Sequence, residues 1–173
     1  MKAGKAPDIL FISAGPDDVG TIVKQFRDAG VDKPIMGGDG YDTPNLVAIA
    51  GAGAENVYFT THSLMDETLG TQNVKDFIGM YKAEYGVAPE NAFAGLGFDT
   101  VGLIANAIDL AKSADPKAIK EQLSKINGMP GVTGTITFTP GNPIPQKGVS
   151  IILVKEGKLT LAQELVPEKV PAP

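Results

Sequence analysis

The chain has 173 residues, 43% of them hydrophobic and 20% charged, which suits a globular domain with a real core. Its formal charge is −5, and no basic stripe carries interleaved aromatics, so the composition argues against a nucleic-acid partner. Cysteine is absent, which excludes disulfides, thiol catalysis and cysteine metal sites but does not choose a redox compartment.

The opening Met1–Asp8 stretch is too short and polar for a secretory signal. No stretch approaches the ~18 apolar residues of a membrane span, so no membrane insertion is expected. Ile9–Ile12 is an unbroken apolar run and reads as a strand covered on both faces of a parallel sheet. Ser13-Ala14-Gly15 ends it. Pro16-Asp17-Asp18 opens a helix, with Val19, Ile22, Val23 and Phe26 as its apolar stripe and Gly30 at its C-terminal cap.

Pro34–Met36 supplies the next strand, which runs into Gly37-Gly38-Asp39-Gly40-Tyr41. Asp42-Thr43-Pro44 then reads as a helix start. Strand, Gly-rich turn and helix make the layout of a ligand loop at the carboxyl edge of an open α/β sheet. Asp39 is the one charge among the glycines, and its simplest use is to hold a cation such as an amino-acid ammonium. The alternative is an ordinary turn in which Asp39 caps local N–H groups.

A short helix over Leu46–Ala50 ends near Gly51, and Asn56–Thr61 is the third strand. His62 is the single histidine, without a second metal ligand in sight, and reads as a packed residue. Val74, Phe77, Ile78, Tyr81 and Tyr85 form a helical stripe stopped by Gly86. Asn91–Ala111 is a longer helix interrupted by Gly95, Gly97 and Gly102, which suit either close packing or a ligand near Phe98 and Asp99. Asp115-Pro116 starts a further helix that Asn127-Gly128 stops. From Gly131 the pattern turns β: Thr135–Phe138 alternates, Val149–Val154 is apolar, and Leu159–Leu161 pairs back as a hairpin. The Pro-rich tail from Pro167 reads as loose.

No dinucleotide fingerprint, phosphate loop, nucleophile elbow or metal-spaced histidine pair occurs, so no cofactor, metal or catalytic residue is assigned. An enzyme would have Asp39, His62 and Asp99 at its disposal and nothing better.

The order of these motifs carries a resemblance. Pro7–Ile12, Gly37-Gly38-Asp39-Gly40, Asn56–Thr61, Phe77–Tyr85 with Gly86, Gly97-Phe98-Asp99 and Gly131–Phe138 succeed one another as in one family. The chain resembles the carboxyl-terminal half of a leucine/isoleucine/valine-binding-type substrate-binding protein of an ABC importer. The resemblance implies an α/β fold: a partial, type I periplasmic-binding-protein-like open, mostly parallel sheet flanked by helices, plus a C-terminal hairpin. It implies that residues 1–60 belong to a second lobe, 61–130 to helices of first-lobe type, 131–166 to crossover strands and hairpin, and 167–173 to a tail. Thr60–His62 looks like a crossover between the lobes.

By the same resemblance Asp39 falls where the family binds the ligand's ammonium. Ser13, Ala14 and Gly15 fall where some members place an aromatic ring, which this chain lacks, and Phe98 falls near a ring set against the ligand. Gly38 and Tyr41 complete the ligand-binding set. The implied partners are an amino-acid-like ligand, an ABC permease, and either a second copy or a complementary amino-terminal half. The implied location is periplasmic or extracellular. The alternative is a stand-alone flavodoxin-like regulatory domain, with the helices from Val74 to Ile126 packed on the sheet that contains Ile9–Ile12.

Overall fold

In a computed structural model, residues 7–171 are described. Most of the opening stretch read as no secretory signal lies outside them, as do the last two residues of the tail. The described chain forms two compact units. The first holds residues 7–61 and Ser150–Gln163, the second His62–Val149 and the residues from Glu164. The polypeptide therefore passes between units three times, at Thr61–His62, Val149–Ser150 and Gln163–Glu164.

The first unit is built on β1 (Leu10–Phe11), β2 (Ile35–Gly37) and β3 (Val57–Thr61), which are mutually parallel. Next to β3 runs β6 (Val149–Lys155), antiparallel to it, and β7 (Lys158–Leu165) follows at the far edge. The hairpin between β6 and β7 turns at Glu156-Gly157, both with positive φ. Helices α1 (Val19–Asp28) and α2 (Asn45–Ala50) pack together beside the strands. Gly20 permits this, since a methyl group there would lie 2.8 Å from Ile49 Cβ. Val19, Val23, Ile35, Leu46, Val57, Phe59, Ile152 and Val154 are fully or almost fully buried and make the core. Arg27 ties the loops down: its guanidinium donates to the carbonyls of Val31, Lys33, Gly53 and Glu55.

One strand departs from expectation. Ile9–Ile12 was expected to be covered on both faces, yet Ile9 is 49% and Phe11 70% exposed. The cause is position: β1 is the edge strand of the sheet, and it spans two residues.

The second unit contains α3 (Gln72–Tyr85), α4 (Ala92–Ala111), α5 (Pro116–Leu123) and the small hairpin β4 (Met129–Gly131) and β5 (Gly134–Ile136). Local signals set the helix ends. Thr71 Oγ1 accepts from Val74 N, Asn91 from Phe93 N, and Asp115 from Lys117 N and Ala118 N, each a side-chain N-cap. Gly86, left-handed at φ 74°, closes α3. Val74, Phe77, Ile78 and Val132 form the buried cluster.

Two further expectations are corrected here. By length and composition α4 is apolar enough to cross a membrane, contrary to the reading that no stretch comes close. The tail is tied rather than loose as far as residue 171, because Gln146 Nε2 donates to the Pro167 carbonyl and Asn142 Nδ2 to that of Val170.

Candidate functional site

β1 and β2 run parallel, so the loops that leave their carboxyl ends lie side by side. The loop after β1 is Ser13-Ala14-Gly15, and that after β2 is Gly38-Asp39-Gly40. They touch at backbone level, because a side chain at Gly40 would collide with the Ala14 carbonyl oxygen and crowd the Gly15 Cα. Gly40 is therefore a close-approach glycine, and it brings five of the sequence-predicted positions together: Ser13, Ala14, Gly15, Gly38 and Asp39. Ser13, Gly15 and Asp39 are exposed, while Ala14 and Gly38 are partly covered.

A short 3₁₀ turn, Asp39–Tyr41, shapes the loop. The Tyr41 and Asp42 amides donate to the carbonyls of Gly38 and Asp39 at 3.2 and 3.0 Å. The turn swings Tyr41 inward rather than toward a ligand. Its ring is fully buried against Gly37 and lies 6.4 Å from Phe59 by ring centroids. Burial pushes its hydroxyl above the usual phenol range. The grouping of Tyr41 with ligand-binding positions is corrected accordingly: in this structure it is a core residue.

Asp42-Thr43-Pro44 was read as a helix start with a capping side chain, and it is Thr43 that caps. Thr43 Oγ1 accepts from Asn45 N at the start of α2, whereas the buried Asp42 carboxylate accepts from Thr61 Oγ1 at 2.6 Å. Sequence reasoning missed this pair. The one available signal was a second carboxylate in a loop already credited with a cap.

Phe98 belongs to the second unit. It is 50% exposed on α4 and packs on Phe77, with centroids 5.2 Å apart. The α4 glycines separate into two kinds. At Gly95 a methyl would meet Met65, Val132 and Thr133 side chains at 2.9–3.1 Å, which is close packing, while Gly97 faces open space. Asp99 is buried and spent on structure: it accepts from Val132 N, Thr133 N and Thr133 Oγ1. His62 stands edge-on to Phe93 at 6.1 Å and lines a different cavity from the one that Asp99 borders.

The chain thus combines paired parallel βα loops carrying exposed polar groups with three passages between two compact units. The family model "Periplasmic binding protein" matches residues 1–158, and the chain belongs to that family. It is 28% identical over 121 residues to the leucine-, isoleucine-, valine-, threonine- and alanine-binding protein of Pseudomonas aeruginosa, covering 70% of this chain and 31% of that protein. Among solved structures, a leucine-binding protein from Thermotoga maritima superposes with a TM-score of 0.81 at 30% identity, over 94% of this chain and 45% of that one. The branched-chain amino acid transporter substrate-binding protein of Streptococcus pneumoniae, solved with isoleucine, gives 0.79 at 32% identity, over 96% and 47%. The chain thus spans less than half the length of these relatives.

Proposed function

We propose that the chain is a solute-binding component of an ABC importer for branched-chain or related amino acids, and that Asp39 takes the ligand's ammonium. The observation that carries the reading is the Gly40–Ala14 approach, which leaves the Asp39 carboxylate exposed beside the Ser13–Gly15 loop. A carboxylate on a glycine-rich rim suits a small cation. The named ligands of the relatives, leucine and isoleucine among them, supply the rest of the molecule.

In this reading the chain binds without catalysis, outside the cytoplasm, and hands its ligand to a permease. Donors for the ligand carboxylate come from a complementary amino-terminal half. Charge pairing is weak in open water and strong in a closed cleft, so each half alone binds poorly. The exposed apolar face of α4, with Val101 68%, Ile104 42% and Ile108 38% exposed, favours association with that half or with a second copy. The flavodoxin-like alternative needs α3–α5 on the sheet that holds β1, and these helices belong to the other compact unit.

The experiment is calorimetric titration of leucine, isoleucine and valine into the chain alone and into a mixture with the amino-terminal half of a relative. Binding in the mixture, abolished by Asp39→Ala, is the expected result. Binding by the chain alone that Asp39→Ala leaves intact would overturn the ammonium role. Silence in both samples would count against the amino-acid reading itself.

A further inference from the structure

We propose that the apolar stripe of α4 is a homodimer surface, on which a second copy of this chain lays its own α4 antiparallel, with the two-fold axis at Val101. The inference stands without the ammonium reading, because none of its residues belongs to the loops around Asp39.

α4 is 20 residues long, about 30 Å of helix, yet its buried residues are Ala92, Gly95, Asp99 and Ala107, all on one side. Phe98, Val101, Ile104 and Ile108 follow one another at helical spacing on the opposite side and are 38–68% exposed. The helix carries two charges, Asp99 on the buried side and Asp109 near its end, so no charge interrupts the stripe.

The stripe is complementary to itself. Its amino-terminal half holds the small residues Ala94 and Gly97, and a methyl group at Gly97 would meet nothing. Beside them α3 and α4 leave a groove of about 550 Å³, walled by Phe77, Met80, Tyr81, Tyr85 and Phe98, with Glu84 as its one charged group. The carboxyl-terminal half holds the larger Ile104 and Ile108. Antiparallel pairing about Val101 sets Ile108 of one copy opposite Ala94 of the other, and Ile104 opposite Phe98 next to Gly97. Each copy thereby fills the other's groove, and large side chains meet small ones, as close helix packing requires. At the two ends Lys112 of one copy comes opposite Glu90 of the other.

The area is of the right size. Met80, Tyr85, Phe98, Val101, Ile104 and Ile108 together expose on the order of 600 Å², against roughly 800 Å² that each partner buries in a standard interface. Ala94, Gly97 and Ala105 add to it. Of the partners this face admits, the self-fit selects a second copy.

Sedimentation velocity on the whole chain tests the proposal. A dimer is expected. Val101→Asp should raise its dissociation constant at least about tenfold, whereas Leu110→Asp, on the other side of α4, should leave it unchanged. Gly97→Leu has room for its side chain in a single copy and none in the pair, so it should keep the circular dichroism of the fold and lose the dimer. The chain has no cysteine, so Val101→Cys should cross-link to its own copy under mild oxidation and Leu110→Cys should not. A monomer at every concentration up to the solubility limit, a dimer that survives both Val101→Asp and Gly97→Leu, or equal cross-linking at the two cysteine positions would overturn the proposal. Should Val101→Asp fail to fold, Gly97→Leu and the cross-linking pair decide the matter.

Discussion

Thr61, the last residue of β3, donates its hydroxyl proton to the Asp42 carboxylate across 2.6 Å, and both residues are less than 10% exposed. The bond joins the end of the Gly37–Tyr41 loop to the strand that leaves for the second unit. Thr61 also stands opposite Ser150, where the chain returns. Thr61→Val keeps the shape and removes the donor. A hydrogen bond to a charged group is worth about 1.5–3 kcal/mol, so this variant should lose about that much in urea unfolding. Thr61→Ser, which keeps the hydroxyl, should lose far less.

Tyr41 offers a variant expected to gain stability. Its hydroxyl is buried with no hydrogen-bond partner among the described residues. Tyr41→Phe removes an unsatisfied polar atom and keeps the ring on Gly37 and Phe59, so it should be neutral or stabilising by up to about 1 kcal/mol. The pH dependence has a definite sign. Burial raises the folded pKa above the unfolded one, so the neutral phenol favours the native state. Its contribution is complete below the unfolded tyrosine pKa and fades as pH rises through the folded value. Alkaline unfolding followed by circular dichroism should show a shallower loss for Tyr41→Phe than for the original chain.

What the sequence disclosed and what it concealed divide by distance along the chain. The Val19–Phe26 stripe, the Val74–Tyr85 stripe with its Gly86 stop, and the Asp115-Pro116 start are written within one or two turns of backbone, and all three were legible. The grouping of the Ser13–Gly15 loop with Asp39 came from the family resemblance, and the strand order of the sheet brings the two loops together. Asp42 with Thr61 lies 19 residues apart, and Asp99 with Thr133 lies 34 apart; neither pair leaves a periodic trace. β4 was missed because Pro130 and two flanking small or flexible residues carry no alternation. Phe11 and Ile9 misled because an apolar run reports strand character and says nothing of whether the strand stands at an edge.

Asp66 supplies a test of local electrostatics. Its Oδ1 accepts from Thr68 Oγ1, Thr68 N and Leu69 N, each at 2.7 Å. The Thr68 hydroxyl is the largest cause holding the Asp66 carboxyl below the ordinary aspartate range. A depressed folded pKa contributes stability above the unfolded value, and that stability is lost as pH falls through the folded one. Carboxyl-carbon NMR should find Asp66 titrating below an unstructured aspartate. In Thr68→Val the midpoint should move upward, and the acid limb of the stability curve should begin at a higher pH.

The largest single loss is expected at Asp99. Its carboxylate accepts from the Val132 amide, the Thr133 amide and the Thr133 hydroxyl, at 2.7, 2.9 and 2.6 Å. The fit leaves no room for alternatives, since a methyl at Gly131 would lie 2.7 Å from Asp99 Oδ2. Asp99→Ala orphans three donors in a buried turn, at about 1–3 kcal/mol each before relaxation, so a total loss of at least about 3 kcal/mol is expected in urea. Asp99→Asn keeps one acceptor and turns an N–H₂ toward donors, and should fall between. Hydrogen exchange separates local from general damage. The Val132 and Thr133 amides should exchange faster in Asp99→Asn, while the amides of β2 and β3 keep their protection. Equal loosening of both units would mean that Asp99 acts on the whole chain and not on its turn.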